Sequence, residues 1–199
     1  MDRLRVATVW LGGCSGCHMS LLDVDEWLFD LAEAVDVVYS PLLDVKAFPE
    51  DVDVTLVEGA VANEDNLELV RQVRRNSRIL VAFGDCAVSG NVTAMRNPVA
   101  PPEEILHRLY VEAVDLQGQP PRERGVLPSL LGRARPVHEV VAVDAFVQGC
   151  PPSAPEIRAA IERLVEAARS GGASSLPDPL PPPPACGEGE GASETEGRG

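Results

Sequence analysis

Apolar and polar positions along the chain alternate between two periods. Leu4-Arg5-Val6-Ala7-Thr8-Val9-Trp10-Leu11 reads as a buried first strand, and Gly12-Gly13 ends it before Cys14-Ser15-Gly16-Cys17. Met19, Leu22, Trp27, Leu28, Leu31 and Val35 then fall largely on one face of a helix expected to run to about Ala34. Val35–Tyr39 reads as a short strand, and Val52–Val57 as another, closed by Glu58-Gly59. Glu64–Arg75 has helical spacing with Leu67, Val70 and Val73 inward. Arg78–Phe83 is a further strand, ended by Gly84-Asp85-Cys86. Pro101-Pro102-Glu103-Glu104 opens a short helix through Tyr110, since proline and early acids suit a first turn. Val111–Glu139 carries no clear period and reads as one long irregular stretch. Val140–Val143 is the expected last strand. A helix from about Pro155 to Arg169 follows, with Ile157, Ala160, Ile161, Leu164, Val165 and Ala168 as its stripe and Gly171-Gly172 as its stop. Strands that alternate with helices predict an open α/β domain around a parallel sheet, over residues 1–169.

Composition adds a second region. Residues 170–199 hold six prolines, seven glycines, five acids and one base, a mixture that buries too little to order itself, so a disordered tail is expected there. The 199 residues are 45% hydrophobic, enough for one core, and carry a net charge of −14. That charge argues against nucleic acid, which needs a basic face. Acid is concentrated between Leu21 and Asp65, where 13 Asp and Glu stand against one base, Lys46. This stretch reads as a solvated acidic face or as a surface that docks a basic partner. No apolar run reaches the roughly 18 residues of a membrane span. Asp2, Arg3 and Arg5 lead straight into the first strand without a secretory signal, so the expected location is cytoplasmic. Five cysteines in a reducing compartment point to metal or redox chemistry before structural disulfides.

Four of those cysteines share a setting: a buried strand ends, a small residue follows, and the cysteine sits in the next loop. Cys14 and Cys17 follow the first strand, Cys86 the strand ending at Phe83, and Cys150 the expected last strand by way of Gln148-Gly149. In an open α/β sheet the carboxyl ends of the strands share one edge, where ligands bind. Thiols 64 residues apart, Cys86 and Cys150, thus converge on one point. Four thiolates suit an iron–sulfur cube, and Gly12, Gly13, Gly16, Gly84 and Gly149 stand where backbone N–H groups would serve its sulfurs. Two other readings stay open on spacing alone. A structural zinc site also uses four cysteines, usually as two close pairs. Cys14 and Cys17 by themselves could form a thioredoxin-like dithiol. Cys186, in the tail, reads as an incidental free thiol.

Gly13-Cys14-Ser15-Gly16-Cys17-His18-Met19-Ser20, Val57-Glu58-Gly59-Ala60, Phe83-Gly84-Asp85-Cys86-Ala87 and Gly149-Cys150-Pro151-Pro152 together resemble the small subunit of nickel–iron hydrogenases, over about residues 1–168. Cys17-His18-Met19-Ser20-Leu21-Leu22-Asp23, leading into Asp25-Glu26-Trp27-Leu28, most resembles the soluble bidirectional NAD-reducing type. The resemblance implies a flavodoxin-like open parallel sheet with helices on both faces. It implies one proximal 4Fe-4S cluster on Cys14, Cys17, Cys86 and Cys150. Glu58 matches a glutamate that is a candidate for proton transfer, and otherwise caps a loop. His18 could hydrogen-bond a cluster sulfur or the partner, or simply pack. A nickel–iron centre, flavin and NAD are implied only on partners: a hydrogenase large subunit and the iron–sulfur and flavin subunits of a diaphorase. Membrane-bound relatives carry an export signal and an extension with two more clusters; neither is evident here, so one cluster is expected. The related respiratory complex I subunit has adjacent cysteines at the first ligand position, where this chain has CxxC.

Overall fold

The computed structural model describes residues 3–113, 118–120, 123 and 125–170. Of the expected tail only Ser170 falls within them; Cys186 lies outside. The chain runs β1 (Leu4–Trp10), α1 (Gly16–Leu22), α2 (Trp27–Ala34), β2 (Val35–Tyr39), β3 (Val52–Glu58), β4 (Val61–Asn63), α3 (Glu64–Asn76), β5 (Ser77–Phe83), α4 (Asp85–Ser89), α5 (Asn91–Ala94), α6 (Pro102–His107), β6 (Leu130–Arg135), β7 (Ala145–Val147) and α7 (Ala154–Arg169).

Five strands form the main sheet in the order β2-β1-β3-β5-β7, and every neighbouring pair is parallel. Counted within that sheet, this is the 2-1-3-4-5 order of a flavodoxin-like fold, with its switch point between β1 and β3. The two faces carry separate cores. Ala7, Val9, Leu80 and Ala82 pack on one face with Val70 and Val73 of α3 and Ala87 and Val88 of α4. Val54, Leu56, Ile79, Val81 and Phe83 pack on the other with Cys17 of α1 and Ile157, Leu164 and Ala168 of α7. Helices therefore cover both faces. β3 and β5 are buried at nearly every position because helices cover both sides.

Local chemistry sets the helix limits. Asn63 accepts from Asn66 N–H at 2.8 Å, with Glu64 and Asp65 in the first turn of α3 and Arg74 and Arg75 in its last, as the helix dipole favours. Ahead of α7, Glu156 accepts from the Ser153 N–H and hydroxyl at 2.9 and 2.7 Å.

Four expectations are corrected. The helix expected from Met19 to Ala34 is two helices, because Asp25 takes a left-handed φ of 52° between them. The last strand is not Val140–Val143 but Ala145–Val147. Asp144 sets that register: its N–H donates to Leu80 O at 2.8 Å, and its carboxylate accepts from Leu80 N–H at 2.7 Å and Arg74 at 2.6 Å. The stretch from Val111 to Glu139 contains β6, antiparallel to β4, and a 3-10 turn at Val137–Glu139. The helix expected through Tyr110 ends at His107 and passes into a wider π turn over Arg108–Glu112.

Candidate functional site

The three cysteine-bearing loops leave the carboxyl ends of β1, β5 and β7, so they share one edge of the sheet. Polar bonds tie them together. Glu58, the last residue of β3, accepts from the N–H groups of Cys17 at 3.3 Å and His18 at 2.9 Å, which anchors the start of α1. Ser20 of α1 donates to Pro152 O at 2.6 Å, joining α1 to the Cys150 loop. The Asp85 N–H donates to Gly149 O at 2.9 Å and the Asp85 carboxylate accepts from Gly149 N–H at 2.8 Å, joining the Cys86 turn to the same loop.

All four predicted cysteines stand at this edge, with Cys14, Cys86 and Cys150 close enough to act electrostatically on Cys17. Cys17 and Cys86 are buried, whereas Cys14 and Cys150 are exposed. Burial pushes the Cys17 thiol up to about 12, and the Glu58 carboxylate and the Cys14, Cys86 and Cys150 thiols add to the rise. Burial also raises Cys86, while the neighbouring backbone N–H groups of Val92 and Thr93 act to lower it. Gly16 N–H lies 3.4 Å from Cys14 Sγ, and Asn91 Nδ2 lies 3.3 Å from Cys150 Sγ. Donors thus point at two of the four sulfurs.

Gly84 is required where it sits. Its φ is +82°, and a Cβ there would stand 2.1 Å from Cys17 Sγ. Gly59 lets the loops after β1 and β3 close on each other: Gly12 and Ala60 exchange N–H···O bonds of 2.9 and 2.8 Å beside it, and a Cβ at Gly59 would meet Leu11 C at 2.9 Å.

Glu58 and His18 are both almost wholly buried. His18 Nδ1 contacts Glu58 Oε2, its ring meets Phe83 edge-on at 6.3 Å, and its Nε2 has no hydrogen-bond partner. His18 therefore visibly packs beside the site, and Glu58 visibly caps α1. Sequence reading missed Asp85, Asn91, Val92 and Thr93. For Gly90-Asn91 the turn-forming dipeptide was the available signal.

Does this donor set fit an iron–sulfur cluster? Four soft thiols, N–H groups aimed at their sulfurs and a glycine cleared for one of them are what such a group needs. Four free thiolates would repel each other, and a cationic centre bound between them would offset that repulsion. Among the described residues no three His, Cys, Asp or Glu side chains gather closely enough to hold a single metal ion. A cube is ligated at its corners and takes sulfurs standing further apart.

A flavodoxin-like sheet that collects four cysteines at the carboxyl ends of its strands defines the class: an α/β scaffold with a thiol-rich ligand site. Residues 14–164 match the family described as NADH ubiquinone oxidoreductase, 20 Kd subunit, and the chain belongs to that family. It is 38% identical over 169 residues to the NAD-reducing hydrogenase HoxS subunit delta of Cupriavidus necator, covering 82% of this chain and 79% of that one. It is 36% identical over 158 residues to an F420-non-reducing hydrogenase subunit of Methanothermobacter marburgensis, covering 76% of this chain and 50% of that one. The chain thus spans about half the length of the F420-non-reducing hydrogenase relatives it matches. Among solved structures, a chain of an NAD+-reducing [NiFe]-hydrogenase in the H2-reduced state superposes with a TM-score of 0.79 at 41% identity, covering 83% of this chain and 92% of that one. These relatives are hydrogenase subunits, and the resemblance drawn from the motifs agrees with them.

Proposed function

We propose that the chain is the electron-transferring small subunit of a nickel–iron hydrogenase of the NAD-linked type, holding one 4Fe-4S cluster on Cys14, Cys17, Cys86 and Cys150. The observation that carries this reading is the convergence of four thiols from three loops on one sheet edge, with N–H donors directed at two of their sulfurs. A cluster bound there supplies one-electron chemistry.

The chain's own residues do the rest. The thiolates hold the group, and Asp85, Ser20 and Glu58 fix the three loops against each other. Phe83 and Ile157 exclude water behind Cys17. Glu58 holds its carboxylate between α1 and His18, where a proton at Oε2 or at His18 Nδ1 can pass between the two side chains. That is our proposal for Glu58. Trp10, Met19, Val92 and Met95 are exposed and lie in or next to the elements that carry the ligands. Exposed large apolar side chains mark partner surfaces, and the partner we assign to this edge is the large subunit. Diaphorase subunits would take the electrons onward. No helix among the described residues is long and apolar enough to cross a membrane, which fits the cytoplasmic location we assign. Residues 170–199 we treat as a separate tail.

A dithiol oxidoreductase using Cys14 and Cys17 leaves unexplained why Cys86 and Cys150 stand close enough to act on Cys17. Iron and acid-labile sulfide in protein purified without oxygen test the proposal. About four irons per chain, lost in Cys86→Ser, is the expected result. One zinc per chain, or no metal with activity retained in Cys86→Ser, overturns it. Chains that copurify from the native source identify the acceptor side, and a flavin-bearing NAD-binding partner is expected.

A further inference from the structure

Residues 91–93 form a short strap over the two ligands that sequence separates most from the CxxC pair. The strap turns at Gly90 (φ +84°) and Asn91 (φ +32°), a backbone that an L residue other than asparagine rarely adopts. It is held rigidly: Thr93 Oγ1 donates to Gly12 O at 2.8 Å, and Arg96 donates to Ala62 O at 3.2 Å and Leu131 O at 2.7 Å. From this frame the backbone N–H groups of Val92 and Thr93 lie near enough to Cys86 to lower its proton affinity, while the Asn91 side chain crosses to Cys150, 59 residues away, at 3.3 Å. A sulfur that carries negative charge accepts and does not donate, so the amide NH2 of Asn91, not its oxygen, faces Cys150.

We propose that Asn91 is a positioning residue that raises the reduction potential of the cluster by donating a hydrogen bond to the Cys150 thiolate. The inference rests on the 4Fe-4S reading. The physical argument is a charge balance. Each added electron increases the negative charge on cluster and sulfurs, so a fixed donor stabilises the reduced form more than the oxidised one. A backbone donor is removed only by proline, which also fixes φ, whereas this donor is removed by changing the side chain alone. It is the side-chain means by which the chain sets the energy of the electron it passes on.

The test uses the intact complex, with midpoint potentials read by EPR-monitored redox titration and iron counted in the same samples. Asn91→Gly keeps a residue suited to positive φ and deletes only the donor; Asn91→Asp replaces the donor by a charge. The midpoint potential is expected to shift negative in Asn91→Gly and further negative in Asn91→Asp, with iron per chain unchanged. A potential in Asn91→Gly equal to that of the unaltered protein, at full iron content, overturns the proposal. Should Asn91→Gly fail to retain iron, unaltered complex labelled with 15N only in asparagine side-chain amides decides. Coupling of that nitrogen to the reduced cluster in pulsed EPR supports the proposal, and its absence overturns it. Unaltered complex without about four irons per small subunit defeats the underlying reading instead.

Discussion

Replacing Gly84 by alanine should empty the site and weaken the fold together. The new Cβ would lie 2.1 Å from Cys17 Sγ, and Gly84 sits at φ +82°. To restore an ordinary contact of about 3.6 Å the sulfur must move about 1.5 Å, while metal–ligand distances hold to about 0.2 Å. Cys17 is 7% exposed and packed among Phe83 and Ile157, so it has little room to retreat. The energetic cost has two parts. A left-handed non-glycine residue costs about 1–2 kcal/mol, and overpacking a core costs about 1–3 kcal/mol. Together they amount to about 2–5 kcal/mol, a large share of the roughly 5–15 kcal/mol that holds a domain. Two other glycines separate these terms. Gly125 has φ +82° but nothing within 4 Å of its Cβ position, so Gly125→Ala isolates the backbone part. Gly132 has open space and no positive φ, so Gly132→Ala should change stability by less than about 0.5 kcal/mol. Iron per chain and urea denaturation of the full chain supply both readouts. The reasoning fails if Gly84→Ala keeps its iron and is no less stable than Gly125→Ala.

Further outcomes follow from the same geometry. Glu58→Ala strands the buried N–H groups of Cys17 and His18 and should cost about 2–4 kcal/mol in denaturation midpoint analysis. Glu58→Gln keeps an acceptor but cannot carry a carboxylate's proton. Iron should remain while hydrogen turnover falls about 100-fold, and unchanged turnover would leave Glu58 only as a cap. Asp144→Ala removes the acceptor for both Leu80 N–H and Arg74, with an expected loss of about 2–3 kcal/mol in urea denaturation. In metal-free protein the folded chain keeps the Cys17 proton up to about pH 12, whereas the unfolded thiol releases its proton near 9. The unfolded state thus binds fewer protons in that window, and stability should decline as pH rises above 9. Iodoacetamide labelling of the same material near pH 8 should modify Cys14 and Cys150 before Cys17, and the reverse order would contradict the burial pattern.

The parts of the fold that were legible are those with strong local signals. β1, β3 and β5 are long apolar runs ended by glycine or Glu-Gly, and α3 and α7 carry clean apolar stripes with polar starts. Their shared edge made the cysteine site legible too. What escaped depends on distant contacts. Leu130–Arg135 has neither alternation nor β-branched residues, and becomes a strand only because β4 offers it a ladder. Val140–Val143 is as apolar as Ala145–Val147, and the Asp144 bonds to Leu80 and Arg74 decide which of them enters the sheet. The break at Asp25 is one dihedral inside a continuous apolar stripe. Asn91 reads in the sequence only as a turn residue after Gly90, since its partner is a sulfur 59 positions away.

The edge position of β7 also sets a timetable for biosynthesis. The chain emerges from its N-terminus, so Cys14, Cys17 and Cys86 are made well before Cys150. At about 5–20 residues per second, the intervening 64 residues take roughly 3–13 s. During that interval the growing polypeptide holds three of the four candidate ligands on a sheet still missing its outer strand. On the proposed cluster reading, insertion of the inorganic group waits until Cys150 is made, and whatever delivers it must either arrive after that or shield three reactive sulfurs until the fourth is in reach.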